Sequence, residues 1–307
     1  MTFIQRSVVA LLMLICSAPA LAAQKYAVQL KTEWVKKYAD RATIDARMSV
    51  RHAHKSANSV KSGGDDGDMH FSGESKDIGL PFVAEIVNAA LPAEHAAVVA
   101  MQAKEGSSST LALSGAWRLW FEHPSPMQTQ GGKNAFMPDH TNPDHSFELH
   151  PVNVIEGDSL NSSFVIIKKY VPYTADVAFT YFDKQKVTIK GSSSGILIKS
   201  GKLKYNYVGF DIELTQNPKK VSDGVIALAR VLTGDGDEQA ADGPRRMIFV
   251  AGTAAAAKIK GATAGDRFEV LAVPRINLKS VLALVAKHKT AQFEAQLPYE
   301  MIIVGVK

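Results

Sequence analysis

Hydrophobic and polar residues alternate along much of the chain, which is the pattern of β-strands with one buried face. The clearest case is residues 44–54, where Ile44, Met48 and Val50 fall on one side and charged residues on the other. Similar runs predict strands near residues 67–71, 82–87, 111–121 and 146–155. Between the third and fourth of these strands, Pro92 begins a predicted helix that ends at Met101, because proline fits the first turn of a helix.

Three strands, a helix and two further strands, in that order, are typical of the oligonucleotide/oligosaccharide-binding (OB) barrel. Asn277 is expected to cap a helix over residues 278–288. In the second region, short apolar runs between glycines and serines predict antiparallel strands at residues 165–167, 177–182, 187–189, 195–198, 205–214, 225–232, 245–250, 267–273 and 301–304. The predicted fold is therefore mostly β (all-β or α+β), with an OB-like five-stranded barrel followed by a second β-rich domain with one C-terminal helix.

Two short motifs in the first region point to a group of proteins. Residues 66–70 read D-G-D-M-H and residues 147–152 read F-E-L-H-P-V. The chain thereby resembles exported, uncharacterised bacterial domains of OB-like fold that carry D-G-D-x-H in an early strand and E-[IL]-H-P-V in the last. The resemblance covers at most residues 41–156 and implies the barrel, but it assigns no activity to any position. Residues 242–252 weakly echo the first motif, and this match is too short to predict a second barrel.

Charge is distributed unevenly along a chain whose composition, 46% hydrophobic and 21% charged, is that of a folded protein. Residues 24–158 contain 13 Lys and Arg against 17 Asp and Glu, whereas residues 159–307 contain 21 against 13. Eight of the nine histidines lie between His52 and His150. With the polar stretch at residues 157–163, this asymmetry predicts an acidic, histidine-rich domain at 24–158 and a basic β-rich domain at 159–307.

Residues 1–23 have the organisation of a secretory signal peptide. Arg6 precedes a nine-residue apolar run, and small residues then allow cleavage near Ala22 or Ala23. The protein is therefore expected in the periplasm or outside the cell, and no later run is long enough to predict a transmembrane segment in the mature chain. Because the single cysteine, Cys16, lies in this peptide, the mature chain has no thiol nucleophile, thiolate ligand or disulfide.

Five acidic and imidazole side chains are candidate metal ligands. Asp68 and His70 share one face of a predicted strand, Glu148 and His150 share a face of another, and Glu85 points away from the apolar side of a third. Closure of the barrel would bring them together, and such donors suit zinc or manganese, which could activate water to hydrolyse a phosphodiester or an ester. The same residues could instead form a structural network in which each carboxylate holds a histidine, so both interpretations stay open.

A basic surface is the second candidate site. Lys184, Lys186 and Lys190 are predicted on one face of a strand, with Tyr205 and Tyr207 nearby. Lysines beside aromatic rings could bind a phosphate backbone or an anionic glycan. Alternatively, the lysines prevent aggregation at an exposed sheet edge and need no ligand.

Other nucleophile and nucleotide motifs do not occur: the chain has no G-x-S-x-G turn, no phosphate-binding P-loop and no dinucleotide-binding glycine pattern. The sequence therefore favours an exported binding or interaction module for an envelope or extracellular ligand of unknown identity. That ligand would be anionic if the basic surface binds it, and nothing in the sequence supports nucleic acid specifically. A metal-dependent hydrolase that uses the five candidate ligands, and a structural component of the cell envelope, are the alternatives.

Overall fold

A computed structural model describes residues 25–60, 66–133, 138–234, 238–289 and 291–307. The predicted signal peptide therefore lies outside the described residues. The helices within them are α1 (Thr32–Tyr38), α2 (His95–Gln102), α3 (Ala175–Lys184), α4 (Ala254–Ile259) and α5 (Leu278–His288). The strands are β1 (Tyr26–Lys31), β2 (Thr43–Ala53), β3 (Met69–Ser75), β4 (Pro81–Ile86), β5 (Leu111–His123), β6 (Gln128–Thr129), β7 (His145–Ile155), β8 (Asp158–Ser159), β9 (Tyr173–Thr174), β10 (Lys186–Gly191), β11 (Gly195–Ser200), β12 (Val208–Leu214), β13 (Lys219–Val221), β14 (Gly224–Leu232), β15 (Arg245–Val250), β16 (Arg267–Ile276), β17 (Gln292–Gln296) and β18 (Tyr299–Val306).

The first barrel closes in the order β2-β3-β4-β7-β5 and back to β2. All of its neighbouring strands are antiparallel except β4 and β7, and α2 lies between its third and fourth strands. Side chains along each strand alternate between the inside and the outside of the barrel. Phe71, Ala84 and Leu149 are buried in the main hydrophobic core inside it, while the residues next to them in sequence face outward. The predicted mostly β fold, with a five-stranded barrel of OB-type strand order, is confirmed.

A second closed barrel repeats this topology in the order β12-β14-β15-β18-β16 and back to β12. Its third and fifth strands, β15 and β18, are the parallel pair, and α4 lies between its third and fourth strands. The sequence predicted a second β-rich region here, but not that it would be a second barrel with the same connections. Helix α5, whose predicted bounds and Asn277 cap are confirmed, is inserted before the last strand.

A third sheet joins segments from distant parts of the chain in the order β17-β10-β11-β1-β6. Strand β1 pairs along its whole length with β11, from the other side of the predicted boundary at residue 158. Helix α5 lies so close to this sheet that a Cβ at Gly191 would be 2.2 Å from a methyl carbon of Val285. Within the described residues, no helix has the length and apolar character needed to cross a bilayer.

Residues 177–182, predicted as a strand, belong to helix α3, so that prediction is wrong. The buried positions Ala175, Ala178, Phe179 and Phe182 follow the helical period, and Val177 is exposed. β-Branched and aromatic residues favoured a strand locally, but burial against the second barrel decided the structure. Residues 165–167 were also predicted as a strand, but they have no regular secondary structure. The strand predicted to begin at residue 205 begins at Val208.

The two barrels are joined by reciprocal hydrogen bonds between β5 and β16. Arg118 Nε donates to the carbonyl oxygen of Pro274 at 3.0 Å, and Arg275 Nη1 donates to the carbonyl oxygen of Trp117 at 3.1 Å. Each arginine is also paired with a buried glutamate on the neighbouring strand, Glu148 in the first barrel and Glu300 in the second. Removal of either partner of such a pair would leave the other charge buried and uncompensated, so each glutamate holds its arginine in place. The arginines held in this way fix how the barrels are joined, through their bonds to the backbone of the opposite barrel.

Asp223 makes a second connection between the barrels. This carboxylate lies in the turn before β14 and accepts hydrogen bonds from Arg41 Nε at 2.8 Å, from the amides of Ala42 and Thr43, and from the Thr43 hydroxyl. Burial alone would raise the pKa of Asp223, but the bonds from Arg41 and the two amides outweigh it and hold the pKa below its ordinary value.

Replacing Asp223→Asn should lower the free energy of unfolding by about 1–3 kcal/mol at neutral pH, since charge-assisted hydrogen bonds are lost. A depressed folded-state pKa contributes stability above the unfolded pKa of about 3.9 and loses it as pH falls. The difference between variant and wild type should therefore shrink below about pH 4, as measured by urea denaturation. Asp158→Asn, at an exposed carboxylate, is the control and should show no such difference; an equal effect in both variants would contradict the assignment.

Candidate metal centre

The structure brings the five predicted ligands together on the outer face of the first barrel. They come from three adjoining strands: His70 lies on β3 with Asp68 just before it, Glu85 lies on β4 and Glu148 and His150 on β7. His70 is directly opposite Glu85 in the register of β3 and β4. We name these five residues the histidine–carboxylate cluster. The outer face is buried here because residues of the second barrel and its connecting segment cover it.

The cluster contains two sets of donor atoms that share Glu85. One set is Asp68, His70 and Glu85, the other is Glu85, Glu148 and His150, and the donor atoms within each set lie within 4.8 Å of one another. In the first set, His70 Nε2 is in close contact with Asp68 Oδ2 and lies 3.5 Å from Glu85 Oε1. In the second, His150 Nδ1 lies 2.9 Å from Glu85 Oε2 and 3.4 Å from Glu148 Oε2.

Glu148 differs from the other carboxylates because its oxygens already have strong donors. Arg118 Nη1 contacts Oε2, and His145 Nε2 lies 2.8 Å from Oε1. All three side chains are buried. Glu148 is thus held in place by the same arginine that joins the barrels, and it has little capacity left for a further cation.

Glu85 Oε2 and His150 Nδ1 form a buried ion pair at the centre of the cluster. Their separation is 2.9 Å, although within the described residues neither atom makes a hydrogen bond of good angular geometry. Carboxylate oxygen and imidazole nitrogen are both donors that divalent metals of the zinc class bind.

The charges in the cluster shift the titration of its members strongly. Burial would raise the pKa of Glu85, but His150 and His70 hold it well below the usual value. Burial would lower the pKa of His150, but Glu85 and Glu148 raise it to about 10, and His70 is likewise raised by Glu85 and Asp68. In the absence of a cation, the buried carboxylates are therefore neutralised by two imidazolium groups and by Arg118.

Asp66 is a further acidic group beside the cluster. Burial, together with the charges of Asp68 and Glu85, raises its pKa to about 8, so that it is protonated at neutral pH. Its place in the D-G-D-x-H motif could have indicated a role, since only the second aspartate was interpreted as a ligand. Arg118 was also missed, although a charged residue in the middle of an apolar strand is a recognisable signal.

Tyr207 completes the cluster from the second barrel. It precedes β12, is fully buried, and its hydroxyl lies 2.7 Å from His150 Nε2. The sequence predicts this tyrosine on a ligand-binding surface, whereas in the structure its side chain is buried against His150. No local pattern could have indicated a contact between residues 57 positions apart.

The second barrel has isoleucines at three of the five positions that the cluster occupies in the first. Because Arg275 pairs with Glu300 as Arg118 does with Glu148, the registers of the two barrels can be aligned. His70 then corresponds to Ile226, Glu85 to Ile248 and His150 to Ile302. The three isoleucines lie in one apolar cluster. The common fold therefore does not require polar residues at these positions.

The structure separates the predicted basic surface. Lys184 ends helix α3 rather than sharing a strand with Lys186 and Lys190, so the three lysines do not form one period-two face. Lys186 is paired with Glu294 at 2.7 Å, and Lys190 is exposed. Tyr205 lies elsewhere, in a group of tyrosines near β9.

No family model, no curated protein and no solved structure matches this chain. The resemblance to exported OB-like domains therefore stays an expectation. What the geometry supports directly is that the buried histidine, glutamate and aspartate groups could hold a metal ion, because they combine imidazole and carboxylate donors within reach of one another.

Replacing Tyr207→Phe should destabilise the protein by about 1–3 kcal/mol, because the buried His150 loses the hydroxyl beside Nε2. Chemical denaturation at neutral pH measures the change. Tyr170→Phe is the matched control, since its ring packs on Tyr207 but makes no hydrogen bond to the cluster among the described residues. A Tyr207 variant as stable as the Tyr170 variant would show that the inter-barrel contact is unimportant.

Proposed function

We propose that the protein is an exported, two-barrel binding module whose first barrel holds one divalent cation of the zinc or manganese class. Asp68, His70 and Glu85 are the residues that would bind this cation. When bound, it would supply a positive charge that links strands β3 and β4. The observation that carries the proposal is the buried set of imidazole and carboxylate donors around Glu85.

Asp68, His70 and Glu85 are favoured over the second set because the second set includes Glu148. Glu148 is held by Arg118 and His145 and so acts as support rather than as a ligand. His150 faces the second oxygen of Glu85 and orients it, as outer partners of metal ligands commonly do. The His70 side chain is 13% exposed, which provides an entry path for the ion.

Comparison of the two barrels supports a specific role for the cluster. The second barrel has isoleucines at the positions of His70, Glu85 and His150, and apolar residues are the less costly way to fill such a site. Retention of these three ionisable residues in the first barrel is therefore better explained by a ligand than by stability alone. The ligand that matches these donors is a divalent cation.

A metal-dependent hydrolase is the second candidate. Two observations favour it: the first set has three protein ligands, and one of them, His70, is partly exposed. Catalytic zinc sites likewise have three protein ligands and keep the fourth position open for water. Three surface depressions among the described residues have no cluster residue in their lining, so none of them offers a substrate cavity at the cation. Binding is accordingly the preferred function. A structural role in the envelope is compatible with the same architecture.

Titration of the chelator-treated protein with Zn²⁺ and Mn²⁺ by calorimetry should show one bound ion per chain. His70→Gln removes a ligand and should abolish binding, whereas His150→Gln removes only the support of Glu85 and should weaken it about 10–100-fold. Saturation at about 100 times the dissociation constant should raise the free energy of unfolding by about 2.7 kcal/mol.

His95→Gln, an exposed histidine on α2, is the control for this titration and should bind the ion as the wild type does. Absence of binding by a folded wild-type protein would remove the cation from the proposal and leave the cluster as a network of ion pairs. Equal losses in the His70 and His95 variants would show that the ion binds elsewhere.

The hydrolase candidate requires turnover as well as binding. The metal-loaded protein should then cleave an activated phosphodiester or ester, and His70→Gln should abolish the activity while His95→Gln retains it. We expect no turnover above that of free metal, because none of these three surface depressions is lined by a cluster residue. Metal-dependent turnover that His70→Gln removes would establish the hydrolase instead.

A further inference from the structure

Exposed apolar side chains are concentrated in one short segment on the surface of the second half. The described residues include seven exposed large hydrophobic side chains, and four of them lie within residues 165–177. They are Val165, Val171, Tyr173 and Val177, of which Val171 is 62% exposed. A local concentration of this kind indicates an interaction site more strongly than scattered exposed residues do.

Three tyrosines connect this segment to the chain before β12. The Tyr173 and Tyr205 ring centroids are 4.8 Å apart, and those of Tyr205 and Tyr181 are 5.1 Å apart. The Tyr181 hydroxyl donates to the carbonyl oxygen of Lys202 at 3.1 Å. Tyr205 has a φ of 65°, a left-handed conformation that is unusual for a bulky residue. We name Val171, Tyr173, Val177, Tyr181 and Tyr205 the tyrosine–valine surface.

Lysines lie at the border of the tyrosine–valine surface. Lys202 and Lys204 are exposed on either side of the buried Leu203, and Lys168 and Lys169 are exposed in the segment that leads to β9. In the part of the chain that the structure describes, none of the four forms an ion pair with a carboxylate. The only acid within residues 165–177 is Asp176, which accepts a hydrogen bond from the hydroxyl of Thr174. The surface therefore combines exposed apolar side chains with four lysines and one carboxylate, so that its net charge is positive.

We propose that the tyrosine–valine surface binds the surface of a bilayer that contains anionic phospholipids. Exposed valines can enter the interfacial region, tyrosines are favoured at the level of the headgroups, and lysines attract anionic lipid phosphates. A nucleic acid or an anionic glycan is a poorer match. Such polymers stack on open ring faces, whereas these tyrosines pack edge to face on one another, and the valines would have no partner. The inference rests on the proposed binding role but not on the cation.

Vesicle co-sedimentation of the purified chain tests the proposal, with residues 1–23 removed so that their apolar run cannot bind lipid. The protein should sediment with vesicles that contain phosphatidylglycerol and much less with phosphatidylcholine alone. The double change Lys202→Gln and Lys204→Gln should weaken partitioning about thirtyfold, because each lysine at an anionic surface contributes about fivefold. Val171→Ser with Val177→Ser should weaken it several-fold on both vesicle types.

Matched controls come from exposed residues elsewhere. Lys219→Gln with Lys220→Gln on β13, and Val99→Ser on α2, should sediment as the wild type does. Equal losses in these controls, or no sedimentation of the wild type, would overturn the membrane proposal. The proposal would also be overturned if the protein bound heparin but not vesicles, with retention that is lost in the Lys202 and Lys204 variant and unchanged in the valine variant. Lost lipid binding with intact metal binding would remove this inference alone.

Discussion

The position of Arg118 determines both how the barrels are joined and how the cluster is arranged. This fully buried guanidinium reaches the backbone of Pro274 in the second barrel and at the same time holds Glu148 in the first. A buried guanidinium can be tolerated only where nearly all of its donors find partners, so strand β5 cannot slide along β16 without exposing an unpaired charge. The site and the junction are therefore parts of one electrostatic arrangement, in which Glu148 is the shared member.

The two barrels show which features of the fold are structural and which are additional. Both keep a buried arginine and glutamate at matching positions of their fourth and fifth strands, which supports a packing role for that pair. Only the first keeps histidines and acids on the adjoining face, where the second has Ile226, Ile248 and Ile302. An ancestral duplication followed by divergence would account for this pattern, with the histidine–carboxylate cluster present in only one copy.

Much of the first barrel could be predicted because its signals are local. Residues 44–54 alternate cleanly, Pro92 marks a helix start, and the order of elements gave the closed sheet that places His70 beside Glu85. Helix α3 was mistaken for a strand because its valine and aromatic residues favour strands locally, while the burial of Phe179 and Phe182 depends on a distant barrel. The contact of Tyr207 with His150 escaped prediction for the same reason, because the two residues lie on opposite sides of the junction and 57 positions apart in the chain.

The sheet that contains β1 has a consequence for how this protein can be divided. Its strands come from the start of the described chain, from the connection between β5 and β7, from the segment between the barrels and from an insertion near the end. Strand β1 pairs with β11 over its full length. A single cut between the barrels would leave two fragments, each with an unpaired strand edge open to association with other chains. A barrel transferred alone into another protein would need new strands there to pair with its open sheet edge. This requirement favours inheritance of both barrels and the shared sheet as one unit.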